Sequence, residues 1–210
     1  MPRSQEQFEA MRVATRARVQ DAGTRLFARK GFAATSIRDI AREAGTSTGL
    51  IYRHYATKED LFADLVGYAV AGLDAVIERF ATVAPTGGGP STAAGVLGDF
   101  TAEFVHDIER DEGFSEFFLL MNQLYSMDDP PVEVERLADR HRRLLRATSA
   151  LIERGQAEGA FRAGDPAQLT TCYYAAIGGL VSMRLALRRD FVAPSAPLLM
   201  GFLTKERSRD

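Results

Sequence analysis

The feature that most restricts the fold of this chain is its apolar pattern, which has a helical period along almost all of its 210 residues. A β-strand is usually predicted by a run of alternating β-branched residues between turn signals, and the sequence contains no convincing run of this kind. The sequence therefore predicts an all-α protein with about nine helices.

Three helices with tight breaks between them are predicted near the N-terminus. The first covers residues 5–29, the second covers about eight residues after Ser36, and the third runs from Ser47 to about His54. Ser36 and Asp39 have the spacing of a capping pair, and a glycine ends the second helix. Two short helices joined by such a turn form a helix-turn-helix, whose second helix enters the DNA major groove.

The rest of the chain predicts a larger helical body. A fourth helix opens with the capping pair Thr57 and Asp60 and continues to a break at Pro85–Pro90. Asp165 followed by Pro166 is a typical start of a later helix. Beyond the break, helices are predicted over about residues 91–110, 114–127, 132–157, 166–188 and 195–205.

Charge is divided unevenly along the chain. Residues 1–60 carry 11 Lys and Arg against 7 Asp and Glu, whereas residues 61–210 carry 15 against 21. The formal net charge of −2 excludes general basicity as a basis for binding. A basic head (residues 1–60) joined to an acidic body (residues 61–210) instead indicates that the head binds an anionic partner.

Three adjoining segments of the head are more specific than the helix pattern. They read GFAATSIRDIAREAG from Gly31, TSTGLIYRHY from Thr46 and TKEDL from Thr57. These segments, within about residues 18–61, resemble the DNA-binding domain of the TetR family of transcriptional regulators. The resemblance implies a DNA-binding domain over residues 1–61 and a helical ligand-binding and dimerisation domain over residues 62–210.

The chain departs from the usual pattern of that family at four core or turn positions. The family commonly has alanine, an apolar residue, valine and phenylalanine where this chain has Gly23, Thr24, Thr46 and Tyr55. These departures bear on local stability and leave the motif itself intact.

The outward side of the third helix carries the candidate base readers. They lie opposite Ile51 and Tyr55, which we predict to face inward, and they are Thr48, Gly49, Leu50 and Arg53. Arginine can pair with guanine through two hydrogen bonds, and leucine can touch a thymine methyl group. Arg53 also has the length to reach a phosphate, so both roles stay open.

Other residues of the head are predicted to hold the DNA backbone. Ser36 and the first-turn N–H groups of the second helix suit a phosphate, and Arg38 adds positive charge there. The family resemblance implies backbone contacts by Tyr52, His54 and Lys58, and Ser47 completes the predicted contact set. A position at the rim of a small bundle is the alternative for Tyr52 and His54.

Arginines near the N-terminus are further candidates for phosphate contacts. Arg3, Arg12, Arg16 and Arg18 lie in or before the first helix. For Arg3 and Arg12 a solvated basic face is the simpler interpretation.

We predict a homodimer on a roughly palindromic operator, because one helix-turn-helix makes too few contacts for useful selectivity. Small residues in the eighth helix would allow a second helix to approach closely, and apolar residues of the last helix would add area. The predicted interface residues are Ala175, Gly178, Gly179, Ser182, Leu198, Leu199 and Phe202. Packing of these residues within one protomer is the alternative.

The regulator is predicted to be a repressor that a small apolar or aromatic ligand releases from DNA. The fourth helix would act as the lever, bending most easily near Gly67 and Gly72. Candidate ligand contacts, each of which is equally explained as core, are Phe100, Phe104, His106, Phe117, Phe118, Met121, Tyr125, Tyr173, Tyr174 and Met183.

Several other classes of protein are disfavoured by the sequence. It has no phosphate loop, dinucleotide fingerprint or nucleophile elbow, so we expect neither an enzyme nor a cofactor. His106 and His141 lack companions at metal-ligand spacing, and Cys172 is expected to be a buried apolar residue. One cysteine, a polar start and no long apolar stretch favour the cytoplasm. A helical interaction module that has lost DNA binding is the rival function.

Overall fold

The structure is a computed structural model that describes residues 5–82, 92–110 and 113–205, with the side chains of residues 5–8 left aside. The described residues form helices α1 (Gln5–Lys30), α2 (Ile37–Glu43), α3 (Thr48–Ile51), α4 (Lys58–Ala81), α5 (Ala93–Arg110), α6 (Phe114–Leu124), α7 (Val132–Ala157), α8 (Pro166–Leu187) and α9 (Ala196–Leu199). A single 3₁₀ turn, Arg188–Asp190, follows α8. The predicted all-α class is confirmed. Arg3 and the break at Pro85–Pro90 lie outside the described residues.

The chain divides into two compact units. Described residues up to Ala69 form the first unit together with Glu116–Val134, and the second unit comprises Val70–Ser115 and the residues from Glu135 onward. Helices α4 and α6 both cross the division. The sequence-based boundary between residues 61 and 62 falls inside α4. A single boundary along the chain also cannot group the later segment Glu116–Val134 with the N-terminal residues.

The first unit is built around a small apolar core. Phe27, Ile40, Ile51 and Leu61 are fully buried. The rings of Phe27, Phe32 and Phe62 lie 4.9–6.0 Å apart, which is the usual range for packed aromatic side chains. Residues from α1, α2, α3 and α4 thus share one core, which fixes the orientation of α3.

Helix α6 is attached to the end of α1 within the first unit. Arg29 donates to the carboxylate of Glu116 at 2.7 Å, and the side chain of Gln123 donates to the carbonyl oxygen of Ala28 at 3.5 Å. The ring of Phe117 also meets Tyr68 of α4 edge-on, with centroids 5.7 Å apart. These contacts explain why α6 belongs with the N-terminal helices.

The second unit has an apolar core with paired polar groups inside it. Its fully buried side chains include Leu97, Ile108, Leu151 and Tyr173. The Tyr173 hydroxyl lies 2.7 Å from Thr101 Oγ1, and the Tyr174 hydroxyl lies 2.9 Å from Thr148 Oγ1. Each pairing spares a hydroxyl the cost of burial without a partner.

Helix starts agree with the predicted caps. Ser36, Ser47 and Asp165 each accept a hydrogen bond from the backbone N–H three residues later. Thr57 and Asp60 cap each other reciprocally at 2.9 and 3.0 Å. Local spacing was sufficient to predict these starts, because both partners of a cap lie within one turn.

Some helices end earlier than predicted, and one of them is α6, which was expected to reach residue 127 but ends at Leu124. α3 ends at Ile51, and its backbone continues as turns in which His54 and Tyr55 donate to the Ile51 carbonyl. The last helix was predicted to reach Lys205, but α9 covers only Ala196–Leu199. Beyond it the chain pairs with the α7–α8 connection through a bridge between Phe161 and Thr204, which diverts the backbone from a helical path. None of the helices in the described ranges is both long and apolar enough to cross a membrane.

Candidate nucleic-acid interface

Helix α2 begins with a complete capping box. Ser36 Oγ accepts from the Asp39 N–H at 3.2 Å and donates to Asp39 Oδ2 at 2.6 Å, while the Ser36 N–H donates to the same carboxylate. Hydrogen bonds from Ser36 lower the pKa of Asp39, so its carboxylate stays ionised at neutral pH. A phosphate contact by the Ser36 hydroxyl would therefore have to replace its bond to Asp39, whereas Arg38 is exposed beside it.

Helix α3 presents two different faces. Ile51 is fully buried and Tyr55 is 5% exposed, which confirms the predicted inward side. On the other side Thr48 and Leu50 are half-buried, and the exposed positions are Ser47, Gly49, Tyr52 and Arg53. The predicted contact residues on this side are thus exposed or half-buried, and their contacts with DNA stay a prediction.

A hydrogen-bonded cluster behind α3 joins α1, α4 and the turn between α3 and α4. The Tyr55 hydroxyl donates to Asp64 Oδ2 at 2.6 Å, and Arg16 donates to Asp64 Oδ1 at 2.7 Å and to the Tyr55 oxygen at 3.1 Å. Gln20 donates to Asp64 Oδ2 at 2.8 Å. The cluster ties α1 and α4 to the residue that follows the recognition helix, so it holds the orientation of α3.

Sequence reasoning missed this cluster, although one signal was available. Tyr55 stands where the resembled family commonly has phenylalanine, and a buried hydroxyl at such a position needs a partner. Burial opposes ionisation of Asp64, but the hydrogen bonds from Arg16, Tyr55 and Gln20 outweigh that effect and lower its pKa. Burial, with the bond to Asp64, raises the pKa of Tyr55 to about 12.

Lys58 is more firmly held than a simple surface phosphate contact would be. Its Nζ donates to the carbonyl oxygens of Phe32 at 2.8 Å and Thr35 at 2.9 Å, and it lies 4.2 Å from the centroid of the Phe32 ring. Two of its three N–H donors therefore stabilise the loop before α2. The third N–H of the Lys58 ammonium group could donate to a DNA phosphate.

A polar cleft of about 290 Å³ lies between the N-terminal half of α1 and the end of the α3 segment. Its lining residues are Glu9, Arg12, Val13, Arg16, Arg53 and His54. Partial burial, and then the positive charges of Arg12 and Arg16, lower the pKa of His54. The His54 imidazole is therefore neutral at pH 7.

The predicted ligand contacts differ in burial and belong to both units. Three of them, Phe104, Met121 and Tyr173, are buried, whereas His106 and Tyr125 are exposed and Met183 is 51% exposed. Phe117, Phe118, Met121 and Tyr125 belong to the first unit and the other six to the second. Within the second unit the rings of Phe100 and Phe104 are 6.4 Å apart, and Tyr173 and Tyr174 are 5.2 Å apart.

The predicted dimer residues of α8 lie at its surface. Ala175, Gly179 and Ser182 are exposed and Gly178 is half-buried. In α9 and the segment after it, Leu198 is 73% exposed, while Leu199 and Phe202 are half-buried. Cys172, which was expected to be buried, is exposed on the same helix, so that expectation was wrong. Within the described ranges, no three His, Cys, Asp or Glu side chains cluster as metal ligands would.

Comparison with known proteins supports both the motif and the fold. The family profile described as "Bacterial regulatory proteins, tetR family" matches residues 19–65. The transcriptional repressor Rv3405c of Mycobacterium tuberculosis is 51% identical over 45 residues, which are 21% of this chain and 24% of that protein. The first curated relatives are matched over only 18% to 24% of their own length.

Solved structures are similar over nearly the whole chain. The MbdR regulator from Azoarcus sp. CIB has a TM-score of 0.68 at 22% identity, covering 90% of this chain and 94% of that one. SmeT, solved as a complex with triclosan, has a TM-score of 0.60 at 21% identity, covering 92% and 93%. At these identities the likeness concerns the fold. The chain therefore matches the tetR family of bacterial regulatory proteins over residues 19–65, and it shares the fold of the MbdR regulator over most of its length.

Proposed function

We propose that the protein is a sequence-specific DNA-binding transcriptional regulator of the cytoplasm. It acts as a repressor, binds a palindromic operator as a homodimer, and leaves the operator when a small apolar ligand binds. The observation that carries this proposal is the accessible surface of α3, where Gly49, Tyr52 and Arg53 are exposed while Ile51 anchors the helix from behind.

The direct test of DNA binding starts from genomic fragments that co-purify with the protein. We expect at least one fragment to bind better than bulk DNA in a gel shift at near-physiological salt. Thr48→Ala should change the preference among variants of that fragment, because Thr48 lies on the base-reading side of α3. If no fragment outcompetes bulk DNA, the proposal is wrong and the rival interaction module gains.

The exposed side of α8 supports the proposed homodimer. Ala175, Gly179 and Ser182 are small and exposed, and neighbouring Met183 is 51% exposed, so a second helix can approach closely. A Cβ added at Gly179 meets no neighbouring atom within 4 Å, and the position is exposed. We therefore expect Gly179→Glu to fold and to place a charge in the proposed interface.

Light scattering at micromolar concentration tests this interface. We expect a dimer for the wild type and a monomer for Gly179→Glu. Ala102→Glu, at an exposed position of α5, is the matched control and should remain dimeric. A wild-type monomer, or a Gly179→Glu dimer as stable as the wild type, would place the interface elsewhere or remove it.

The proposed ligand is small and apolar. SmeT, which shares the fold, was solved with triclosan, a small molecule, and the second unit of this chain has neighbouring rings in Phe100, Phe104, Tyr173 and Tyr174. The two tyrosine hydroxyl groups are hydrogen-bonded to threonines, so they have partners when no ligand is bound. Each hydroxyl also keeps a further hydrogen-bonding position with which it can orient a bound molecule.

A further inference from the structure

The cleft between α1 and the α3 segment lies partly outside the matched motif. Arg53 and His54 belong to the motif, but Glu9, Arg12 and Arg16 precede residue 19, where the family match begins. The cleft is therefore a feature that neither the helix-turn-helix nor the family match assigns.

The charges around the cleft favour an anion. Arg12 pairs with Glu9 at 3.1 Å, and Arg16 pairs with Asp64 at 2.7 Å. The Arg53 N–H donates to the Leu50 carbonyl at 3.3 Å, whereas its guanidinium has neither a hydrogen bond nor an ion pair with any other described residue. Three guanidinium groups thus face two carboxylates, and the excess positive charge is that of Arg53.

The orientation of the cleft's arginines is partly fixed in advance. Arg16 is held by Asp64 and by the Tyr55 hydroxyl, so it cannot swing into solvent without breaking both bonds. Arg53 and Arg12 are exposed, and Arg12 can turn to a ligand by giving up only its exposed pair with Glu9. A guanidinium fork is well matched to phosphate oxygens, because it presents several N–H donors in one plane.

We propose that this cleft binds phosphate oxygens of the operator backbone, with Arg12 and Arg53 as the contacting residues and Arg16 as a positioning residue. The inference rests on the proposed function. It extends the DNA contact surface of each protomer from α3 to the N-terminal half of α1. It also assigns Arg53 to the backbone and leaves base reading to Thr48, Gly49 and Leu50.

The experiment couples single protein changes to single operator phosphates. Operators in which one phosphate is replaced by a neutral methylphosphonate are titrated with the wild type and with Arg12→Ala. We expect one phosphate position in each half-site at which the replacement weakens wild-type binding by about threefold or more. Arg12→Ala should bind the unmodified operator correspondingly less well and lose its sensitivity at that position only.

Salt dependence gives a second readout. Arg12→Ala and Arg53→Ala should each reduce the slope of log affinity against log salt by about 1 per protomer without changing the order of preference among operator variants. Lys30→Ala is the matched control, because Lys30 is an exposed cationic residue of the same helix that does not line the cleft. It should leave the methylphosphonate pattern unchanged.

Three outcomes would overturn the inference. The first is full sensitivity of Arg12→Ala at every phosphate, and the second is a changed sequence preference of Arg53→Ala at an unchanged salt slope. The third is a shift of the His54 proton resonances by inorganic phosphate while no operator phosphate couples to Arg12, which would make the cleft a site for free phosphate instead. Absence of wild-type binding to any operator is a different result, since it refutes the proposed function itself.

Discussion

At the scale of single residues, Tyr55 shows how one oxygen atom can organise the recognition helix. Its ring fills a core position that a phenyl group would fill equally well, but its hydroxyl joins Arg16 and Asp64 in a cluster that also includes Gln20. The chain's departure from phenylalanine at this position therefore has a physical reason. The glycine at position 23, where the family commonly has alanine, also has a physical reason. A Cβ there would come within 2.9 Å of the buried Leu61 side chain.

Tyr55→Phe should lower the free energy of unfolding by about 1 kcal/mol, the usual net value of one hydrogen bond. Asp64 keeps Arg16 and Gln20 as partners, so no buried charge is left unpaired. Urea unfolding measures the change. Tyr68→Phe is the control, because Tyr68 is 72% exposed and should lose little. Equal stability of the wild type and Tyr55→Phe would mean that the cluster contributes nothing to the fold.

Stability should also fall in mildly acidic solution. Burial lowers the pKa of His141, and burial together with Arg12 and Arg16 lowers that of His54. A histidine whose folded pKa lies below its unfolded value near 6.5 stabilises the fold above that pH, and the contribution is lost as pH falls through the folded pKa. The free energy of unfolding should therefore be smaller at pH 5 than at pH 7.5.

Substitution identifies the responsible groups. His54→Gln and His141→Gln should each flatten the decline between pH 7.5 and 5, and His106→Gln, at an exposed position, serves as the control. A decline that persists unchanged in the double variant would assign the pH dependence to other groups.

The residue scale also marks where sequence reasoning stops. Caps such as Ser36 with Asp39 were predictable because their partners are three residues apart. Tyr55 and Arg16 are 39 residues apart, and Arg16 and Asp64 are 48 apart, so their pairing depends on how three helices pack. The same limit applies to the cleft, which was visible in the sequence only as scattered arginines.

At the scale of secondary-structure elements, the C-terminal segment depends on a distant partner. The Arg162 N–H donates to the Leu203 carbonyl at 2.9 Å, and Lys205 donates to the Ala160 carbonyl at 3.3 Å. These bonds replace the helical ones that the sequence pattern predicted for residues 200–205. Intrinsic preference was thus overridden by a tertiary contact, as happens often for short helices.

The same connection depends on close packing against α7. A Cβ at Gly155 would overlap the ring of Phe161, which is 2% exposed. Gly155→Ala should therefore lower the free energy of unfolding by about 1–2 kcal/mol, because the cost of overpacking exceeds the helical preference for alanine.

Gly98→Ala is the matched control for that prediction. Gly98 also lies inside a helix, but a Cβ there has no neighbour within 4 Å. It should raise stability by up to about 1 kcal/mol. Thermal or urea unfolding of the two variants gives changes of opposite sign, and a stabilising Gly155→Ala would show that Phe161 can move aside at little cost.

At the scale of the whole molecule, helix α4 is the first of the segments that run from one unit into the other. Its 24 residues span about 36 Å, compared with about 42 Å expected from the longer predicted helix. The sequence predicted this continuous helix from its apolar period, but it did not predict that α6 would join the N-terminal helices. That attachment includes the contact between Arg29 and Glu116, which are 87 residues apart.

Gly67 and Gly72 lie on either side of the division at residues 69 and 70, and added Cβ atoms would meet nothing within 4 Å at either position. Alanine at each position should stabilise the straight helix by about 1 kcal/mol relative to glycine, so bending there should cost about that much more. If ligand release of DNA requires α4 to bend there, Gly67→Ala and Gly72→Ala should bind the operator as tightly as the wild type when no ligand is present. The ligand should then weaken operator binding less than it does in the wild type.

The measurement is an operator titration with and without each lipophilic compound that raises the melting temperature of the protein. A ligand acts only through its different affinity for the two forms, so a 100-fold preference corresponds to about 2.7 kcal/mol of coupling. If bending of α4 costs about 1 kcal/mol more, the factor by which the ligand weakens operator binding should fall about fivefold. Gly98→Ala, which is equally open but lies on α5, should leave the factor unchanged. Identical factors in all four proteins would mean that bending of α4 near these glycines does not carry the signal.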